Sequence, residues 1–81
     1  MTHKINSQVT VTSLGFKKNF AVYPKSIEYM GVSYSFVDSG LRCQVRSGSE
    51  IIVIFTMTDG HKTFHLKSEN RGGTWILLGL N

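Results

Sequence analysis

Two histidines four residues apart, His61 and His65, are the first residues whose type and spacing could do chemistry. On a helix that interval puts both imidazoles on one face, as a shared metal ion requires. The surrounding run, IIVIFTMTDGHKTFHLK over residues 51–67, is rich in β-branched and aromatic residues and reads as strand. Four residues of strand span about 13 Å, too far for two side chains to grip one ion at bond lengths of about 2 Å. His3 stands in an N-terminal tail, and Cys43 is expected to point inward. Neither a metal site nor a cofactor is expected.

Catalytic constellations fare no better. Asp38, Glu50 and Asp59 each stand in or beside a turn signal that accounts for a carboxylate there. No serine lies in a nucleophile-elbow pattern, and Cys43 has no neighbouring histidine in the sequence. Gly72-Gly73 leads into a strand-like run and not into a helix whose N-terminus could hold a phosphate. At 81 residues the chain has little room for a reactive site with supporting layers behind it. A binding protein is expected, and not an enzyme.

Basic residues interleaved with aromatics are the remaining constellation. Nine Lys and Arg against five Asp and Glu give a formal charge of +4, which favours an acidic partner. Lys17, Lys18 and Lys25 accompany Phe16, Phe20 and Tyr23, while Arg42, Arg46, Lys67 and Arg71 could form a stripe over a sheet. On one strand face Arg42 and Arg46 stand about 13 Å apart, which suits non-adjacent phosphates. Charged sheet faces also serve simply to discourage edge pairing.

The elements that must position these residues are strands. Turn signals recur at Gly31, Ser39-Gly40, Ser47-Gly48, Asp59-Gly60 and Arg71-Gly72-Gly73, between short runs of Val, Ile, Thr, Tyr and Phe. No sustained recurrence at three and four residues marks a helix. The spacing predicts an all-β fold: a small antiparallel meander or partly open barrel of five to six strands, SH3-like or OB-like in layout. The compact β domain is expected over residues 24–81. Residues 1–23 read as an N-terminal arm, with a weak strand over Gln8 to Leu14.

Turn chemistry then predicts the registers. A two-residue loop at Met30-Gly31 sets Tyr29 opposite Val32 and Ile27 opposite Tyr34. Asp59-Gly60 predicts a type I′ turn that sets Phe55 opposite Phe64 and Val53 opposite Leu66. A three-residue loop, Arg46-Ser47-Gly48, is preferred over Gly48-Ser49, because the latter would bury Arg42 and Gln44 among Val53 and Phe55. Leu41 and Cys43 are thus expected in the core. Ile52 and Ile54 then emerge on a second face, ringed by Arg42, Gln44, His65 and Lys67. If Ile76, Leu78 and Leu80 face the core, Trp75 emerges on that second face too.

Either the N-terminal segment, through Val9, Val11, Phe16 and Phe20, covers those isoleucines, or a partner does. The expected function is a small basic binding module that contacts nucleic acid through this face. Arg42, Arg46, His65 and Lys67 would meet phosphates, and Trp75 would stack on a base. The alternative is a protein-interaction module or a homodimer centred on Ile52 and Ile54, with the same charges as its rim. The single cysteine, the lack of an apolar leader and the short apolar runs point to a cytoplasmic protein with no membrane partner.

Overall fold

The structure is a computed structural model that describes residues 3–18, 21–68 and 74–81. The expected roles of Phe20 and of the Arg71-Gly72-Gly73 loop fall outside them. The described residues form seven strands: β1 (His3–Phe16), β2 (Val22–Tyr29), β3 (Val32–Ser35), β4 (Leu41–Ser47), β5 (Glu50–Thr58), β6 (Thr63–Ser68) and β7 (Trp75–Leu80). They make one antiparallel sheet in the order β3-β2-β1-β7-β6-β5-β4. The fold is the expected open all-β meander, with one strand more than the upper count predicted from turn spacing.

The additional strand comes from the N-terminus. Residues 3–16, expected to lie in an arm, are the longest strand and sit in the middle of the sheet, paired with β7 on one side and β2 on the other. Val9, buried in the core, falls in this strand between Trp75 of β7 and the β2 pairing that begins at Thr10 and Val11. Ser7 and Ser13 interrupt the alternation of Ile5, Val9 and Val11, so the run shows no sustained strand pattern. The segment's burial comes from its neighbours, which its own sequence does not display.

The sheet curls, and its concave side is the core. Ile27, Phe64, Leu66 and Leu77 are wholly buried, with Val9, Phe36, Phe55 and Met57 around them. Each such side chain withdrawn from water contributes about 1.5–3 kcal/mol before ordering costs. Curling brings β3 and the chain that leaves it onto β6: the rings of Tyr34 and Phe36 lie 4.9 and 5.2 Å from that of Phe64. The Phe36 amide donates to the Lys25 carbonyl and the Val37 amide to the Thr58 carbonyl. Register shifts in β1, at residues 4–7 and 11–14, and opposite His65–Leu66 in β7 supply the bends. Asn6, at φ 54°, marks the first of them.

Hairpin turns confirm one predicted register and correct two. Met30 and Gly31 both take positive φ, as a type I′ turn requires, and Tyr29 pairs with Val32 and Ile27 with Tyr34. At Asp59-Gly60 the loop is four residues long, not two. Thr58 pairs with Thr63, so Phe55 meets Leu66 and Met57 meets Phe64. The Asp59 carboxylate explains the longer loop, since Oδ1 accepts from the amides of Lys62 (2.7 Å) and His61 (2.9 Å). Those two bonds hold its pKa below the ordinary aspartate value. This contribution to stability is present above the ordinary value and is lost as pH falls through the lowered one. The slip of two residues preserves the faces.

The β4–β5 register is the larger correction. Ser47 pairs with Glu50 across the two-residue turn Gly48-Ser49, the loop rejected on sequence grounds. Arg42 therefore stands opposite Phe55 and Gln44 opposite Val53 on the concave side, while Leu41, Cys43 and Val45 lie on the convex side with Thr56, Ile54 and Ile52. The expected cost of burying Arg42 does not arise, because β4 is an edge strand and both its faces are open to water. Leu41, expected in the core, is 73% exposed, and Cys43 is exposed.

Because β1 is central, a chain starting at Ala21 is expected not to fold. Its amide NMR spectrum should be collapsed where that of the full chain is dispersed. A dispersed spectrum would show that β7 and β2 can close on each other without β1.

Candidate interaction surfaces

The curl gives the sheet two unlike surfaces, and the residues expected in one site are divided between them. Arg42, Arg46 and Trp75 belong to the concave side. His65 and Lys67 belong to the convex side with Ile52 and Ile54.

On the concave side the parity of β7 is the reverse of the expected one. Trp75 and Leu77 face the core, and Ile76 and Leu78 turn outward. An extra residue in β7 opposite His65–Leu66 then returns Leu80 to the core side, where it pairs with Phe64. Trp75 packs against Phe55 at a ring separation of 5.5 Å and stays partly accessible. It forms one wall of an open groove of about 470 Å³ whose other walls include Arg42, Val53, Ser68 and Val22. Arg42 and Trp75 are thus brought together, although on the opposite side from that expected. Arg46 lies further along the same side of β4, beside Gln44 and Ile51.

On the convex side, β4 contributes Leu41, Cys43 and Val45, β5 contributes Ile52 and Ile54, and β7 contributes Ile76 and Leu78. The β5 and β7 side chains are half-buried by their neighbours, while Val45 is 41% exposed. Val9 and Val11, expected as a cover for Ile52 and Ile54, point instead into the core from β1. Ile52, Ile54, Ile76 and Leu78 all keep part of their surface accessible, so the rest of the described chain does not seal this face.

At one end of the face the paired bends of β1 and β7 open a depression of about 430 Å³. Ile54, Leu78 and Gly79 line it together with Lys4, Asn6 and His65. His65, Gly79 and Lys4 form a row across β6, β7 and β1. The His65 Nδ1 and Thr56 Oγ1 share a hydrogen bond of 3.2 Å that steadies the imidazole. Lys4, Asn6 and Leu78 were not legible as part of a site, because a strand alternation cannot reveal where an extra residue shifts the register.

His61 lies in the β5–β6 loop and His65 within β6, and no three His, Cys, Asp or Glu among the described residues are grouped to hold an ion. No described helix is long and apolar enough to cross a membrane. Comparison of the chain with protein-family models, with curated proteins and with solved structures finds no match.

The two concave-side residues differ in structural role. Trp75→Ala should lower stability by about 3 kcal/mol, the lower end of the cost for a large aromatic, because its ring is only partly buried. Arg42→Ala should fall within about 0.5 kcal/mol of the parent. Urea midpoints check both, and equal effects would mean that Arg42 also packs on the core.

Proposed function

We propose that this chain is a small interaction module that seats a protein partner on the convex face of β4 to β7. The observation that carries the reading is the partly accessible apolar surface of the convex side, where Val45, Ile52 and Ile54 on β4 and β5 and Ile76 and Leu78 on β7 flank Lys67 and His65 of β6. Apolar surface left in water costs about 25 cal/mol per Å², and a patch of this kind with a polar rim is characteristic of a docking site. Lys67 and His65 lie within this surface and Lys4 at its end, and the chain carries a surplus of positive charge. Those features favour an acidic protein with an apolar centre. A cytoplasmic setting, in which the exposed Cys43 thiol stays reduced, fits the same reading.

A photo-reactive side chain at position 54 should crosslink the partner, and one at Thr12 should not. The recovered protein, purified and titrated against the parent, should bind at least about tenfold more weakly to Ile54→Glu, which buries a carboxylate at the patch centre. Equal binding to parent and variant would remove the convex face as the site.

A second reading rests on the concave groove, where Arg42 and Trp75 stand together and could hold a phosphate and a stacked base of single-stranded nucleic acid. In that case Arg42→Glu with Arg46→Glu abolishes oligonucleotide binding measured by fluorescence anisotropy, while Ile54→Glu leaves it unchanged. Affinity also falls steeply with salt. A folded parent with no binding at low salt would end this second reading.

A further inference from the structure

The two ends of the sheet are not protected alike. β3, at one end, is four residues long, and the chain leaving it turns back to hydrogen-bond with Thr58. β4, at the other, runs for seven residues, has no described strand beyond it and contains neither proline nor lysine. Its charges, Arg42 and Arg46, lie on the concave face, and an exposed edge with no proline and no bulge is a template for another strand wherever those charges find a complementary partner. The register with β5 fixes which backbone groups are available. The turn Gly48-Ser49 makes Ser47 and Glu50 a hydrogen-bonded pair, so alternation turns the N–H and C=O groups of Leu41, Cys43 and Val45 toward β5. Those of Arg42, Gln44 and Arg46 point away from the sheet.

We infer that β4 pairs antiparallel with β4 of a second copy of this chain, about a two-fold axis at Cys43, joining two sheets into one. The occupant follows from the self-complementarity of the strand. A two-fold axis at Arg42, Gln44 or Arg46 would set arginine opposite arginine, which is unfavourable across strands. An axis at Cys43 sets Arg42 opposite Gln44 of the second copy, with both residues' free backbone groups meeting, and Leu41 opposite Val45. It also sets Arg46 opposite Gly40 of the other copy, whose amide already binds the Asp38 carboxylate at 2.8 Å. An arginine from each copy thereby arrives beside an aspartate of the other, at both ends of the interface. An axis at Val45 loses both the Leu41–Val45 contact and this charge pair. This interface is the β4 edge and stands independently of any partner on the convex face, although it would make the Leu41, Cys43 and Val45 surfaces of the two copies continuous.

Pairing about Cys43 sets the two Cys43 residues opposite each other at a non-hydrogen-bonded position. The Cα separation there is about 4.5 Å, within the range that a disulfide spans. The thiol is therefore a reporter of the register. Light scattering of the reduced protein over a concentration series should show a dimer mass. Added oxidised glutathione, which accepts the two electrons and two protons released by the thiols, should convert that dimer to a disulfide-linked species. Cys43→Ser should abolish the link and keep the dimer. Gln44→Arg, which sets arginine against Arg42 twice by symmetry, should raise the dimer dissociation constant about tenfold with the fold intact. Gln44→Pro removes an outward N–H at an edge that tolerates proline and should give a folded monomer. A parent that stays monomeric at the highest soluble concentration overturns the inference. So does a dimer indifferent to Gln44→Arg but dissociated by Ile54→Glu, which would place the contact on the convex face. Linkage through Val45→Cys in the Cys43→Ser background, with none through Cys43, would overturn the axis.

Discussion

Everything in this fold depends on one strand being shared. β1 pairs along its N-terminal half with β7 and along its C-terminal half with β2, and no other described strand joins the β2–β3 hairpin to the β4–β7 meander. An isolated hairpin is marginal in water, and four strands with one apolar face need something to close over it. β1 supplies both needs by holding the two parts at an angle that lets Tyr34 and Phe36 reach Phe64. Its bends are part of the same constraint, since a straight strand of 14 residues would leave the two parts side by side with their apolar faces wet. At Gly15 the backbone runs so close beneath Tyr23 that a Cβ would overlap the ring, which fixes how the end of β1 lies on β2.

The closure is incomplete, and both candidate surfaces follow from that. A sheet of this length curls enough to bury the concave sides of β5, β6 and β7, but β4 is carried past the core. Its concave residues Arg42, Gln44 and Arg46 meet water, so a polar strand side is tolerated where a closed barrel would demand apolar residues. The same displacement leaves Leu41, Cys43 and Val45 on the outside and extends the apolar strip of Ile52 and Ile54. Trp75 sits at the open margin, packed on Phe55 yet accessible beside Arg42. Both candidate surfaces are thus consequences of where the curl stops.

Position in the sheet also separates residues that composition groups together. Arg42 and Lys67 both look like members of one basic stripe, but they stand on opposite sides of a single layer, one on β4 and one on β6. A ligand that engages the concave groove cannot also engage the His65 depression without wrapping around an edge. The functional readings are therefore spatially distinct and belong to different residue sets.

Much of this molecule was legible in the residues alone. Turn signals about ten residues apart, β-branched runs and the lack of helical periodicity determined the antiparallel class, and the Met30-Gly31 turn determined its own hairpin register, because two-residue loops admit few geometries. The opposition of Phe55, Phe64 and Leu66 to His65 and Lys67 was also readable, since a slip of two residues at Asp59 leaves faces unchanged. The face of β4 was not. Its sequence alternates Leu, Cys and Val with Arg, Gln and Arg, and which set turns toward the core depends on the turn register and on whether a second layer lies beneath that strand. Tertiary structure decided both, by leaving β4 beyond the curl, where a charge on the concave side keeps its water. The same holds for β1, whose weak apolar signal became the centre of the sheet because burial is set by neighbours distant in the sequence, and for β7, whose extra residue at the bend lets Trp75, Leu77 and Leu80 share one side.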